Sequence, residues 1–157
     1  MQFVNGELID GLMVLFALVY NGCIVVVFVA RALEREYLES LAGYLVNLLL
    51  VPFSILWVLN LLGGSEAGRL ITGMPIILFL LYDLWYRTLS QEKPKHHPKH
   101  WPIELYVYLI LFLFGSTLLV GYAFLASLFD GFIILAVYYA SLAAYGYYQY
   151  KHRKTQT

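Results

Sequence analysis

Three histidines in one short segment are the side chains best suited to metal chemistry. The same segment carries two acidic residues, so the candidate ligands are His96, His97, His100, Glu92 and Glu104. Neutral imidazole is the commonest metal ligand in proteins, and a carboxylate would add to a transition-metal site. The prolines and lysines interleaved in residues 93–99 favour the alternative, a solvated basic loop. The sequence has one further histidine, His152, which leaves too few ligands for a di-iron centre.

Asp83 is an acidic residue inside an otherwise apolar segment. An ionisable group within a membrane-spanning helix is a candidate for handling protons, ions or substrate. Arg87 follows Asp83 by one helical turn, so a partly hydrated ion pair near the end of the helix is the alternative interpretation. The functional hypothesis is a membrane enzyme that uses Asp83 together with the histidine loop.

Seven neutral polar side chains are predicted to lie near the middle of apolar helices: Asn21, Asn47, Ser116, Thr117, Tyr138, Tyr139 and Ser141. Hydrogen bonds between helices account for such groups, at roughly 0.6 kcal/mol each. The alternative is a pocket for a neutral small molecule or lipid, with a kink at Pro52 as its floor. No charged side chain is predicted at this depth, which disfavours an ion-coupled pump.

These residues are positioned by long apolar runs. Hydrophobic residues make up 61% of the 157-residue chain and charged residues only 13%, and the mean hydropathy is +0.72. About 20 apolar residues are needed for a helix to cross a bilayer. The sequence therefore predicts an all-α integral membrane bundle in a single domain, with five transmembrane helices at residues 11–30, 41–62, 70–86, 105–129 and 131–150.

The distribution of positive charge predicts the orientation of these helices. Nine of the ten Lys and Arg residues follow the first, third or fifth predicted helix, and only Arg69 lies on the opposite side. Positively charged loops stay in the cytoplasm. The N-terminus is therefore predicted outside, and the basic loops and the C-terminus in the cytoplasm.

The connections between the runs also give expectations. Residues 31–40 read as a short interfacial connector in which Arg35 and Glu39 have the spacing of a helical ion pair. Pro52 is expected to bend the second helix, and Asp130-Gly131 to form the turn before the fifth. Cys23 is the single cysteine, so no intramolecular disulfide is possible.

The last predicted helix carries small residues at one-turn spacing: Ala136, Ala140 and Ala144. Small side chains allow another helix to approach closely. Whether that helix belongs to the same chain or to another subunit is left open by the sequence.

The favoured function is a non-catalytic subunit or accessory protein of a membrane assembly. The alternatives are an oligomeric transporter or binding protein for a neutral small molecule or lipid, and the membrane enzyme described above. No nucleophile motif or glycine-rich phosphate loop is present. No cofactor is predicted. The expected partners are the lipid bilayer, other membrane proteins or further copies of the chain, and the zero net charge argues against nucleic acid.

Overall fold

The computed structural model describes residues 6–62, 67–88 and 103–154. These ranges contain no β-strand and form an all-α bundle of six helices: α1 Gly6–Ala32, α2 Glu36–Leu48, α3 Leu50–Leu62, α4 Ala67–Thr88, α5 Ile103–Ala126 and α6 Leu128–Lys154. Together α2 and α3 make one apolar segment, Glu36–Leu62. The bundle therefore has five long helical units.

The second unit is interrupted at Leu49, three residues before Pro52, where the sequence predicts a bend rather than an end of the helix. Regular helix stops at Leu48 and resumes at Leu50. Proline lacks an N–H group, and its ring clashes with the carbonyl group four residues earlier, which here belongs to Leu48. Leu49 keeps helical backbone angles, and its N–H group bonds to the carbonyl group of Leu45, so the backbone stays close to helical at the interruption.

The turn between α1 and α2 corrects the predicted ion pair of the connector. Glu39 accepts hydrogen bonds from Arg31, with 2.7 Å between Nη2 and Oε1, rather than from Arg35. Arg35 precedes α2 as its N-cap residue, so the spacing rule for two residues inside one helix does not apply to it. Glu34 has a φ angle of 58°, which turns the chain and brings Glu39 back to Arg31.

The reversal between α5 and α6 lies earlier than the predicted Asp130-Gly131 turn. Ser127 separates the two helices, and Asp130 belongs to the first turn of α6. A serine at this position and an acidic residue three positions later are typical of a helix N-terminus. Gly131 serves close packing instead, because a Cβ atom there would collide with the ring of Phe124.

Contacts between side chains give the directions of the helices. Phe28 packs against Tyr145 and Arg31 against Tyr148, so α1 and α6 run in the same direction. By contrast, α5 runs opposite to both, since Thr117 meets Tyr138 of α6 and Phe112 meets Phe28 of α1.

Aromatic rings fill the centre of the bundle and join helices that are distant in sequence. The rings of Phe16 in α1 and Phe53 in α3 have centroids 4.2 Å apart. The ring of Tyr20 packs against the edge of Phe79 in α4, with 6.2 Å between the ring centroids. The rings of Phe79 and of Phe112 in α5 have centroids 5.7 Å apart. Such pairs contribute roughly 0.5–1.5 kcal/mol beyond the burial of their area.

The outer surface of the bundle is apolar. By length and composition, four segments can cross a membrane: Gly6–Ala32, Glu36–Leu62, Tyr106–Ala126 and Leu128–Lys151. A shorter apolar helix, Ile71–Trp85, lies within α4. Only 22–44% of each of the four apolar windows is buried inside the bundle, and many of their large apolar side chains are exposed. Helices of this composition fit a membrane protein.

Gly115 marks a close approach between α4 and α5. A Cβ atom at this position would lie 3.3 Å from the Cα atom of Ile76. We expect Gly115→Leu to force the two helices apart and to lower the free energy of unfolding by about 1–3 kcal/mol. Thermal denaturation in mild detergent, followed by circular dichroism, measures the loss. Gly146→Leu is the control, because nothing lies within 4 Å of a Cβ atom there. Equal stability of the two variants would contradict the prediction.

Candidate functional site

The two asparagines of the predicted mid-depth set have unsatisfied acceptors. Asn21 is fully buried in α1, and its Nδ2 atom donates a 2.8 Å hydrogen bond to the carbonyl group of Ala17. Its Oδ1 atom is buried and has no hydrogen-bond partner in the described ranges, and the same holds for Oδ1 of Asn47 in α2. A buried amide oxygen without a partner costs about 1–3 kcal/mol. Both atoms are therefore available to a hydrogen-bond donor.

Ser116 occupies the centre of the bundle beside a tyrosine that the sequence reasoning missed. Its Oγ atom lies 3.4 Å from the hydroxyl oxygen of Tyr20, and both residues are fully buried. Tyr20 directly precedes Asn21 in a run that is otherwise apolar, so its inward direction follows only from the packing of α1.

The remaining predicted residues lie at the contact between α5 and α6. Thr117 donates to the carbonyl group of Leu113, and its Oγ1 atom lies 3.2 Å from the hydroxyl oxygen of Tyr138. Ser141 is buried and donates to the carbonyl group of Tyr138. Tyr139 faces outward with 61% of its surface exposed. These five residues of the predicted set therefore lie in three different places. Ser116 is at the bundle centre, Thr117, Tyr138 and Ser141 are at the contact between α5 and α6, and Tyr139 is on the outer surface.

Asp83 lies inside the bundle and not at a hydrated helix end. Only 1% of its surface is exposed. It follows Phe79 by one turn and so shares the buried face of α4. Asp83 is close enough to Tyr20 to interact with it electrostatically. The predicted partner, Arg87, has a side chain outside the described part of the structure.

The predicted metal ligands lie outside the described residues. His96, His97, His100 and Glu92 fall in residues 89–102, and the side chain of Glu104 is also not described. Within the described residues, no group of three or more His, Cys, Asp or Glu side chains is arranged to hold a metal ion.

A polar cluster that the sequence reasoning missed joins three helices at one end of the bundle. The hydroxyl group of Tyr122 donates to Oδ1 of Asp10 at 2.8 Å and accepts from Nδ2 of Asn60 at 3.1 Å. Tyr122 and Asn60 are buried. These hydrogen bonds connect the N-terminal turns of α1 to the C-terminal turns of α3 and α5. No local spacing relates the three residues, since they are far apart in sequence.

The opposite end of the bundle has a basic cluster around Arg31. Besides its ion pair with Glu39, the guanidinium group lies 5.7 Å from the ring centroid of Tyr148 and 5.8 Å from that of Phe28. Lys151 of α6 donates a hydrogen bond to the carbonyl group of Ala32, the last residue of α1. A cation at a helix C-terminus is favourable because it neutralises the negative end of the helix dipole.

With this geometry established, comparison with known proteins adds no assignment: no protein-family model, curated protein or solved structure matches the chain. The described contacts of the interior polar groups mainly connect helices. The exceptions are the two asparagine oxygens, which have capacity for a donor. Function is therefore argued from the arrangement of these residues alone.

The Tyr122 cluster predicts a measurable contribution to stability. Tyr122→Phe removes the hydroxyl group that bridges Asp10 and Asn60, so we expect the free energy of unfolding to fall by roughly 0.6–1.7 kcal/mol. Unfolding in detergent with increasing dodecyl sulfate, followed by circular dichroism, measures this change. The control is Tyr139→Phe at the outer surface, for which we expect a change below about 0.5 kcal/mol. The cluster would have no structural role if both variants matched the unmodified protein.

Proposed function

We propose that all five helical units cross the membrane, with the N-terminus outside and the C-terminus in the cytoplasm. α4 has 22 residues, and the segment between Arg69 and Arg87 reaches the lower end of the length that a helix needs to cross the hydrocarbon core. The directions of the helices support this arrangement, because α1 and α6 run parallel and α5 runs opposite to them. The same arrangement places nine of the ten Lys and Arg residues on the cytoplasmic side.

We further propose that the protein is a non-catalytic subunit or accessory protein of a membrane assembly. The observation that carries this proposal is the outer face of α6. Ala136, Ala140 and Ala143 share this face and are exposed there, whereas Ala144 is buried inside the bundle. A face of small residues allows another helix to approach its backbone closely. Because this face points away from the other helices, the helix that packs on it belongs to another polypeptide.

The polar interior supports the same proposal. Tyr122 joins three helices at one end, and Arg31 connects to α2 and α6 at the other. These contacts stabilise the bundle and leave its outer apolar surface available to lipid and to partner helices. The basic ends of the helices would meet anionic headgroups.

A second candidate function is the binding or transport of a neutral small molecule. It is favoured by the unpartnered Oδ1 atoms of Asn21 and Asn47. A hydroxyl or amide donor on a ligand would satisfy these acceptors, and the low dielectric of the interior would strengthen the hydrogen bond.

The proposed topology predicts opposite accessibility of the two chain ends. In a Cys23→Ser background, we expect a membrane-impermeant maleimide to label Gln2→Cys in intact cells. It should label Thr157→Cys only after permeabilisation, because five crossings place the two ends on opposite sides. Labelling of both ends from the outside would require an even number of crossings and would exclude the five-span arrangement.

The proposed assembly predicts that other membrane polypeptides co-purify in fixed ratio when the protein is extracted gently from its own membrane. Native mass spectrometry measures the composition. Ala140→Trp should remove the partner, because the indole ring blocks the small-residue face. Leu78→Trp, at an exposed position of α4, should leave the complex intact.

The same measurement separates the two candidate functions. A chain that appears without other polypeptides, and that retains a small molecule lost in Asn21→Leu, would favour the binding function. A partner that is retained equally by Ala140→Trp and Leu78→Trp would show that the face of α6 is not the docking surface.

A further inference from the structure

An apolar groove lies between α1 and α2 and opens to the outside of the bundle. Its volume is about 260 Å³, and its lining includes Val19, Gly22, Cys23, Val26, Leu38 and Ala42. Along α1 it covers two helical turns, about 10 Å. Because the two helices are joined by a short turn and run antiparallel, the end of the groove at Val26 and Leu38 lies nearest that turn. The groove thus leads from the middle of the bundle toward one of its ends.

The rim of the groove is in contact with the surroundings of the bundle. Val26 and Leu38 are 45% and 46% exposed. Beyond them, Val29 and Leu33 continue the apolar surface of α1 up to the turn. In a membrane, an apolar chain would therefore reach the groove from the side without crossing a polar barrier.

The charged residues at the end of the groove alternate in sign. Arg35 is exposed, lies directly before α2, and forms no ion pair or side-chain hydrogen bond within the described part of the chain. Glu34 and Glu36 on either side of it are exposed as well. The other arginine of this turn, Arg31, is held by Glu39. A single free guanidinium group between two carboxylates is thus presented at the mouth of the groove.

Arg35 lies beside the mouth of the groove, because it immediately precedes α2 and stands three residues before Leu38, which lines the groove at the end nearest the turn. A guanidinium group binds phosphate through paired hydrogen bonds. The carboxylates of Glu34 and Glu36 repel a purely anionic headgroup but attract an ammonium group. The mouth is therefore complementary to a headgroup that carries both charges.

We propose that the groove between α1 and α2 binds one acyl chain of a zwitterionic phospholipid, whose phosphate meets Arg35 and whose ammonium group lies beside Glu34 and Glu36. This inference rests on the proposed membrane location, but it depends neither on the docking face of α6 nor on the polar groups in the bundle centre. A transmembrane helix would need charges of both signs at its end to match this mouth, whereas a zwitterionic headgroup carries them by its nature.

The test uses the full-length, delipidated protein in detergent. Native mass spectrometry follows the binding of phosphatidylethanolamine and of phosphatidylglycerol with identical acyl chains. We expect phosphatidylethanolamine to bind more tightly. Arg35→Gln should weaken its binding about tenfold, the loss of one charge-assisted hydrogen bond. The double substitution Glu34→Gln and Glu36→Gln should remove the preference over phosphatidylglycerol.

A matched pair of glycine substitutions tests the groove itself. A Cβ atom at Gly22 meets nothing within 4 Å, so Gly22→Leu fills the groove without displacing the bundle. Gly146→Leu adds the same side chain at a site on α6 that is equally open. We expect the first variant to lose the bound phospholipid and the second to retain it, with unchanged circular dichroism in both.

Cys23 supplies a second measurement on the unmodified protein. It lines the groove and is the single cysteine of the chain. Bound phosphatidylethanolamine should slow its modification by N-ethylmaleimide, whereas phosphatidylglycerol should protect it less. The proposal would be overturned by equal binding of both lipids, by retention of lipid in Gly22→Leu, or by modification of Cys23 at the same rate with and without lipid. Resistance of the protein to alkaline extraction from membranes tests the membrane location separately.

Discussion

The packing of the other helices around α1 is the interaction on which the bundle depends. Phe16 and Tyr20 place aromatic rings against α3 and α4, and Tyr20 also reaches Ser116 of α5. At its two ends, α1 is attached through Asp10 and Arg31 to helices that follow much later in the chain. Without water to satisfy polar groups inside an apolar bundle, each such group must find its partner within the protein, in its own helix or on a neighbouring one.

This requirement explains how the polar residues are distributed. Tyr122 bridges two side chains at one end, and Lys151 caps the carbonyl end of α1 at the other. Between these ends the interior is mostly aromatic and aliphatic. Asn21 and Asn47 depart from this pattern, since each keeps a buried oxygen without a partner in the described ranges. A polar group that is buried without a partner destabilises the fold. At these two positions, the capacity to bind a ligand would therefore cost stability in the unbound protein.

The outer surface follows a different rule. A soluble bundle would cover its apolar helices with charged residues, but here many large apolar side chains of the long helices are exposed. Ala140 on α6 and Val26 beside the groove are exposed on the same outer surface. On the proposed membrane location, this surface would be open to lipid and, on the proposed assembly, to partner helices as well.

The sequence by itself determined the helical class and the apolar character of the helices, and it pointed to Pro52 as the irregular place in the second unit, although as a bend. These properties depend on composition and on the local chemistry of single residues, which act within one helical turn. The five crossings and their orientation remain predictions from length and charge. The signal at Ser127, with Asp130 three residues later, was also present in the sequence, but the Asp130-Gly131 pair was read as the turn.

Only the tertiary structure decided which side chains meet. The contact of Tyr122 with Asp10 and Asn60, and that of Tyr20 with Ser116, join residues that no spacing rule relates. Likewise, Arg31 rather than Arg35 binds Glu39, because the left-handed backbone of Glu34 sets the path of the turn. The rotation of each helix about its axis determines whether a residue such as Tyr139 or Asp83 faces outward or inward. That rotation is fixed by packing against neighbouring helices, and so a uniformly apolar helix gives no local signal of it.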